Sequence, residues 1–189
     1  GFNRRFAPMG ERLKAFTDTG EPRLVTYRVN AGFLPAEHWT QDPAQGGGRL
    51  LGEGCHFLDF ANWLQDEAPV SVYARATDDV GKYRQDNFVV TLSYPSGGVA
   101  TVVYSANGDK AAGKERVEVF AGGRYGLLED YRLLDLHRDG KVEKVRERLR
   151  VFVSNLSPAA REALLSAPTA DPDRTLPFLA GVLWNKFRP

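Results

Sequence analysis

Three proton-carrying side chains recur at every third position of one stretch: Glu53, His56 and Asp59 in Gly46-Gly47-Gly48-Arg49-Leu50-Leu51-Gly52-Glu53-Gly54-Cys55-His56-Phe57-Leu58-Asp59-Phe60. On a helix, residues three apart lie close to one another. An acid, an imidazole that titrates near neutrality and a second acid, set beside a loop of three glycines, can make a proton-transfer site. The plainer alternative is a glycine-rich helix entry whose polar residues cap and charge the first turn. His56 is the candidate general acid/base; a hydrogen-bonded structural histidine is the alternative. Glu53 is placed to orient the imidazole or tune it. Asp59 is placed to hold the ring from the other side, or to form an ion pair with Arg4 or Arg5. Cys55 is next to His56, but helical neighbours diverge by about 100°, so it reads as a small buried residue rather than a nucleophile. Trp39, Arg49, Arg5 and Asp59 complete the set as candidate substrate contacts, with Trp39 either a pocket wall or a core aromatic.

Other chemistries fit less well. The triple glycine lacks the G-x-G-x-x-G spacing and no P-loop lysine follows it, so a dinucleotide or phosphate cradle is the weaker reading. Its glycines instead let a loop turn tightly or approach a ligand. A metal site would need His38, Glu53 and His56 brought together by a loop folding back, and no metal is expected. The basic residues of Lys141–Arg150 alternate with glutamates and read as a solvated edge.

The elements that must position these residues follow from periodicity. Phe2–Phe6 reads as a short strand and Pro8–Phe16 as a helix with Met9, Leu13 and Phe16 on one face. Arg23–Asn30 is β-rich, and residues 31–48 form a long loop of the kind that carries function. Phe57, Phe60, Ala61 and Leu64 mark the buried face of a helix from about Glu53 to Leu64. Strands are expected at Val70–Thr77, Phe88–Tyr94, Val99–Ser105, Arg116–Ala121, Tyr125–Glu129, Tyr131–His137 and Lys141–Val153, the last with a helix as alternative. Asp78–Asp86 reads as a polar loop. Short helices are expected at Pro158–Ser166 and Pro177–Phe187. The predicted class is α+β: a large, mostly antiparallel sheet with helices packed on one face. Its open face, with Val89, Thr91 and Ser93 against Val99, Thr101 and Val103, is suited to pairing with a second copy.

Composition narrows the partners. The chain has 189 residues, 42% hydrophobic and 26% charged, with a net charge of +1. That is an ordinary globular balance, which gives no reason to expect nucleic acid or an acidic membrane surface. No apolar run reaches spanning length. The single Cys55 excludes an intrachain disulfide, which fits a reducing, cytoplasmic setting. The opening Gly1-Phe2-Asn3-Arg4-Arg5 reads as the middle of a longer product, so a fragment is expected.

Four segments together resemble a known family. They are Phe2-Asn3-Arg4-Arg5-Phe6-Ala7-Pro8; His38-Trp39 followed by Asp42-Pro43; Gly46-Gly47-Gly48 running into Glu53-Gly54-Cys55-His56-Phe57-Leu58-Asp59; and Lys114–Phe120. Over about residues 1 to 140, the chain resembles the second half of glucose–fructose oxidoreductase / inositol dehydrogenase (Gfo/Idh/MocA) enzymes. The resemblance implies a full-length protein with an N-terminal Rossmann domain binding NAD or NADP. Its second domain would hold part of the substrate site and make the oligomer contacts. The implied reaction is hydride transfer at a sugar, polyol or related carbon. The family histidine maps onto His56, as proton acceptor from the substrate hydroxyl or as substrate ligand. Three departures stand out. The Rossmann domain and its catalytic lysine are missing here. The acid four residues before the histidine is Gly52, with Glu53 one position later. Residues after about 150 do not resemble the family ending.

The expected organisation is therefore residues 1–20 as the last strand of the cofactor domain and a linking helix, 21–150 as the substrate-binding and oligomerisation domain, and 151–189 as an atypical tail. The leading function is the substrate-binding half of an NAD(P)-dependent oxidoreductase, inactive alone, with no cofactor expected on this chain and a small sugar or polyol as its ligand. A non-catalytic dimerisation or ligand-binding module of the same fold is the second reading, and a metal-dependent hydrolase the third.

Overall fold

Pro8 takes the first position of helix α1 (Pro8–Phe16), where its missing N–H costs nothing. Met9 and Leu13 face inward, and Thr17 closes the helix by donating its hydroxyl to the Leu13 carbonyl. The computed structural model describes residues 1–42 and 44–146. Before α1, Asn3–Phe6 is a 3-10 turn rather than the expected strand. It is held by side chains rather than by a sheet partner: Arg4 reaches Glu115 and Arg5 reaches Asp59.

Eight strands form one sheet: β1 (Leu24–Asn30), β2 (Ser71–Ala76), β3 (Phe88–Ser93), β4 (Val99–Ser105), β5 (Glu115–Ala121), β6 (Arg124–Glu129), β7 (Leu133–Arg138) and β8 (Lys141–Arg146). Their spatial order is β2-β3-β4-β1-β5-β6-β7-β8. Every neighbouring pair is antiparallel except β1 with β4. The long excursion between β1 and β2 contains helix α2 (Cys55–Gln65), so β1 returns to the sheet centre beside a later hairpin.

Alternation decides which face is covered. Val25, Tyr27 and Val29 of β1, Ala100, Val102 and Tyr104 of β4, and Val117 and Val119 of β5 all point to one side and are buried. Leu13 of α1 and Phe57, Phe60, Ala61 and Leu64 of α2 complete that core. The opposite side carries Thr26, Arg28, Thr91, Thr101, Val103 and Phe120, which stay partly or fully exposed. Helices thus cover one face of a mostly antiparallel sheet, as the alternation predicts.

A turn accounts for one difference in boundary. Gly122-Gly123 and Asp139-Gly140 have positive φ at both central positions, the geometry that two-residue hairpins favour. Asp130-Tyr131 adopts the same geometry without a glycine, so β7 starts at Leu133 and not at Tyr131. Lys141–Arg146 is a strand, paired residue by residue with β7. The rest of that predicted strand and the helices expected at 158–166 and 177–187 lie outside the described residues.

Candidate active site

The helix carrying His56 does not begin as an α-helix. Leu50–Gly54 is a π-helical turn that leads directly into α2. Such turns put an extra residue into a helix and recur at functional sites. Thr40 explains why small residues are required around it. A Cβ on Gly46 would lie 2.4 Å from the Thr40 Cα, and one on Gly52 would lie 2.5 Å from its Cγ2. Thr40 is itself buried in a 3-10 turn, Trp39–Gln41, where the His38 Nδ1 accepts the Thr40 N–H. The position at which the resemblance expects an acid is therefore filled by the Thr40 methyl.

Arg49, Glu53 and Tyr104 converge beside this turn. The Arg49 Nε donates to the Tyr104 hydroxyl at 2.6 Å. Its Nη2 donates to the Gly32 carbonyl at 3.2 Å and to Glu53 at 3.3 Å. The Tyr104 hydroxyl donates in turn to the Glu53 carboxylate. Burial pushes the Tyr104 pKa well up, and Glu53 adds to the shift, so the phenol keeps its proton. The Arg49 side chain is 1% exposed, yet its Nη1 has no partner among the described residues. The Glu53 side chain is 31% exposed, so this cluster opens towards solvent through its carboxylate.

His56 lies in the first turn of α2, half-buried, with the Phe2 ring edge-on at 5.4 Å between centroids. Its Nδ1 is buried without a partner among the described residues. Burial lowers its pKa from the ordinary 6.5, and the Arg4 guanidinium lowers it further, against the opposing pull of Glu53 and Asp59. A neutral imidazole at physiological pH is the form that accepts a proton.

The remaining candidates separate. Arg5 and Asp59 pair with each other through two hydrogen bonds, one of them Nε to Oδ2 at 3.0 Å, so Asp59 holds an arginine and not the imidazole. Trp39 is exposed and lies against His38, with ring centroids 5.8 Å apart. Cys55 is partly exposed rather than buried, and its thiol donates back to the Leu51 carbonyl. Among the described residues no three His, Cys, Asp or Glu side chains gather as a metal-holding group, so His38, Glu53 and His56 do not form the ligand set of the hydrolase reading. Tyr104 and Thr40 escaped the sequence reading. Tyr104 carried only the alternation of a buried strand, and its pairing with Glu53 spans 51 positions.

A cleft of about 390 Å³ adjoins the glycine loop, lined by Gln41, Gly47, Gly48, Arg49, Lys82 and Arg84 among others. Of the three loop glycines, Gly46 lies against Thr40 and Gly47 against Leu51.

Comparison with known proteins places this architecture. The profile of the GFO/IDH/MocA C-terminal domain matches residues 14–123, more than half of the chain. The chain belongs to that family. Among solved structures, an inositol dehydrogenase homolog from Azotobacter vinelandii, complexed with NAD+, superposes with a TM-score of 0.64 at 19% identity, over 85% of this chain and 45% of that one. UDP-N-acetylglucosamine 3-dehydrogenase from Acidithiobacillus ferrooxidans gives 0.63 at 20% identity, over 78% and 46%. A levoglucosan dehydrogenase bound to NADH and levoglucosan gives 0.63 at 16% identity, over 78% and 46%. At these identities the likeness is one of fold, and the chain spans less than half the length of each structure. No curated protein sequence matches significantly. Among the described residues no helix is long and apolar enough to cross a membrane.

Proposed function

We propose that this chain is the substrate-binding and oligomerisation half of an NAD(P)-dependent oxidoreductase acting on a sugar, polyol or related hydroxyl compound. The observation that carries the reading is a histidine kept neutral beside the open carboxylate of Glu53, at a π-turn entry, in a domain of this family. His56 takes the proton of the substrate hydroxyl. With Nδ1 sealed in the protein, Nε2 is the nitrogen left to receive it, and the neutral ring then carries its own proton on Nδ1. Glu53, fixed by Arg49 and Tyr104, accepts hydrogen bonds from neighbouring substrate hydroxyls. Trp39 offers an exposed ring at the rim for a sugar face. Arg5 and Asp59 serve as a pair that fastens the segment before α1 to α2. In the full-length protein a nicotinamide cofactor held by another domain would supply the hydride acceptor. The sheet face around Thr26, Thr101 and Val103, which the described residues leave open, pairs with a second copy.

The test compares two proteins. The isolated chain is expected to give no turnover of polyols with NAD or NADP and to sediment as a dimer. In the full-length protein, His56→Ala is expected to lower kcat by about 10²–10⁴-fold. Turnover by the isolated chain, or unchanged turnover in the variant, overturns the reading. A second reading draws on Thr40 filling the acid position at Gly52. In that case the chain is a non-catalytic module that binds a ligand or dimerises, and the full-length protein binds sugar without oxidising it.

A further inference from the structure

The cleft beside the glycine loop is basic and has built walls. Three cations line it, Arg49, Lys82 and Arg84, and among the described residues no carboxylate does. Among the described residues neither Lys82 nor Arg84 has an acidic partner within 4.0 Å. Both are exposed, which makes them free to meet a ligand. The loop that carries them is nevertheless anchored. Asp86 is buried and accepts from the Gln41 side chain at 3.0 Å, which ties residues 77–87 to the loop before α2. Asn87 is buried and accepts the Ala106 N–H at 2.8 Å. Tyr83 packs edge-on against Phe33, and the Lys82 ammonium sits 4.3 Å from the Phe33 ring centroid. Arg84 Nη1 is bound to the Gly81 and Tyr83 carbonyls, which sets its planar group at the cleft.

The opposite wall is the start of the helical run that contains His56, a place where backbone N–H groups and the helix dipole favour negative charge. Arg49 lines that wall and brings a buried Nη1 with no partner among the described residues. A buried guanidinium nitrogen left without an acceptor is costly, and an oxyanion in the cleft would lower that cost.

We propose that this cleft is an anion subsite that receives a phosphate or carboxylate group of the substrate, held chiefly by Lys82 and Arg84. The subsite rests on the reading of this region as the substrate side of an oxidoreductase, and it narrows the substrate to a sugar or polyol that carries an oxyanion.

The experiment titrates the 189-residue chain with glucose 6-phosphate, glucuronate and glucose, by calorimetry at low and high salt. The better of the two anionic sugars is expected to bind at least about tenfold more tightly than glucose. The tighter of them identifies the group as phosphate or carboxylate. Added salt should weaken the anionic sugars alone. Lys82→Gln with Arg84→Gln, both at exposed positions where folding is not at stake, should remove about tenfold or more of that affinity and leave glucose unaffected. Equal binding of all three sugars, no anion binding, or anion affinity unchanged in the double variant overturns the proposal. Dehydrogenase turnover separates it from the broader reading. Dehydrogenase turnover that favours the anionic sugars no more than the neutral one, and that is unchanged for the anionic ones in the double variant, keeps the oxidoreductase and removes the subsite. Charge-dependent anion binding without any dehydrogenase activity keeps the subsite and removes the oxidoreductase.

Discussion

Two arginine–carboxylate–tyrosine clusters share the helix-covered face of the sheet, and they are finished differently. In the first, Arg4 grips Glu115 through two hydrogen bonds of 2.8 and 2.7 Å, and its guanidinium lies 4.4 Å from the Phe57 ring centroid. Tyr27 donates to the same carboxylate, and Tyr131 lies 3.2 Å from the Tyr27 hydroxyl. Burial opposes charge on both partners. The bonds to Arg4 and Tyr27 still hold Glu115 below the usual carboxylate range, and Glu115 keeps Arg4 protonated. In the second cluster, Arg49, Glu53 and Tyr104 use the same chemical kit, but Nη1 is left over and the carboxylate is partly wet. A closed network spends its hydrogen bonds on the fold; an open one keeps donors and acceptors for a ligand. The difference assigns the first cluster to fastening the segment before α1 and the second to the site.

The sharpest way to break that assignment is to remove each carboxylate. Glu115→Ala leaves Arg4 charged in a buried setting and should cost about 3 kcal/mol or more. Glu53→Ala leaves Arg49 with the Gly32 carbonyl and Tyr104, beside a cleft that admits water. Arg49 is buried but keeps these two neutral acceptors, so the loss should cost about 2 kcal/mol, the range of a hydrogen bond to a charged group. Urea unfolding of the two variants measures both. If Glu53→Ala proves as damaging as Glu115→Ala, the open cluster is structural too.

The closed cluster also marks where sequence reasoning reaches its limit. The helix at Pro8–Phe16, the β3–β4 hairpin and the buried face of α2 were legible, because each rests on local periodicity and turn chemistry. Asp59 with Arg5 was foreseeable as a charge pair, and one of the two arginines proposed for it is the partner. Glu115 with Arg4 was not, since 111 positions separate them and, although each stands in a segment that carries the family resemblance, nothing in either segment points to the other. Tyr131 at φ +56° could not be read either, because a bulky residue in the left-handed region is set by packing: its ring meets Phe60 and its hydroxyl meets Tyr27. At the site, spacing placed His56 and Glu53 near one another. It could not reveal the π-turn, which depends on Thr40 pressing against Gly46 and Gly52. Lys82 and Arg84 looked like ordinary loop polarity until the fold set them across from the glycines.

A subtler comparison removes only the two hydroxyls. Tyr27→Phe takes a donor from Glu115, and Tyr104→Phe takes one from Glu53 and an acceptor from Arg49. Each should cost about 1 kcal/mol in stability. Only Tyr104→Phe should also raise KM for the substrate in the full-length protein, because the carboxylate it orients then swings free. A KM change of equal size in Tyr27→Phe would erase the functional contrast between the clusters.

The smallest expected effect separates the two regions by pH. His56 has a folded pKa below its ordinary 6.5, so the unfolded chain takes up a proton that the folded chain refuses. Stability from this source is present above 6.5 and is lost as pH falls from there towards the folded pKa. Glu115 is also depressed, but from an ordinary 4.5, so its contribution is present above 4.5 and is lost as pH falls through its lower folded value. Acid therefore reaches the site before it reaches the clamp. Half-exposure of His56 keeps its slope well under the limit of about 1.4 kcal/mol per pH unit for one proton. Chemical denaturation between pH 7 and 3 should show His56→Gln flattening the upper window and Glu115→Gln the lower one. An upper window that survives in His56→Gln would mean that its proton goes elsewhere, and that the imidazole is not held neutral by its surroundings.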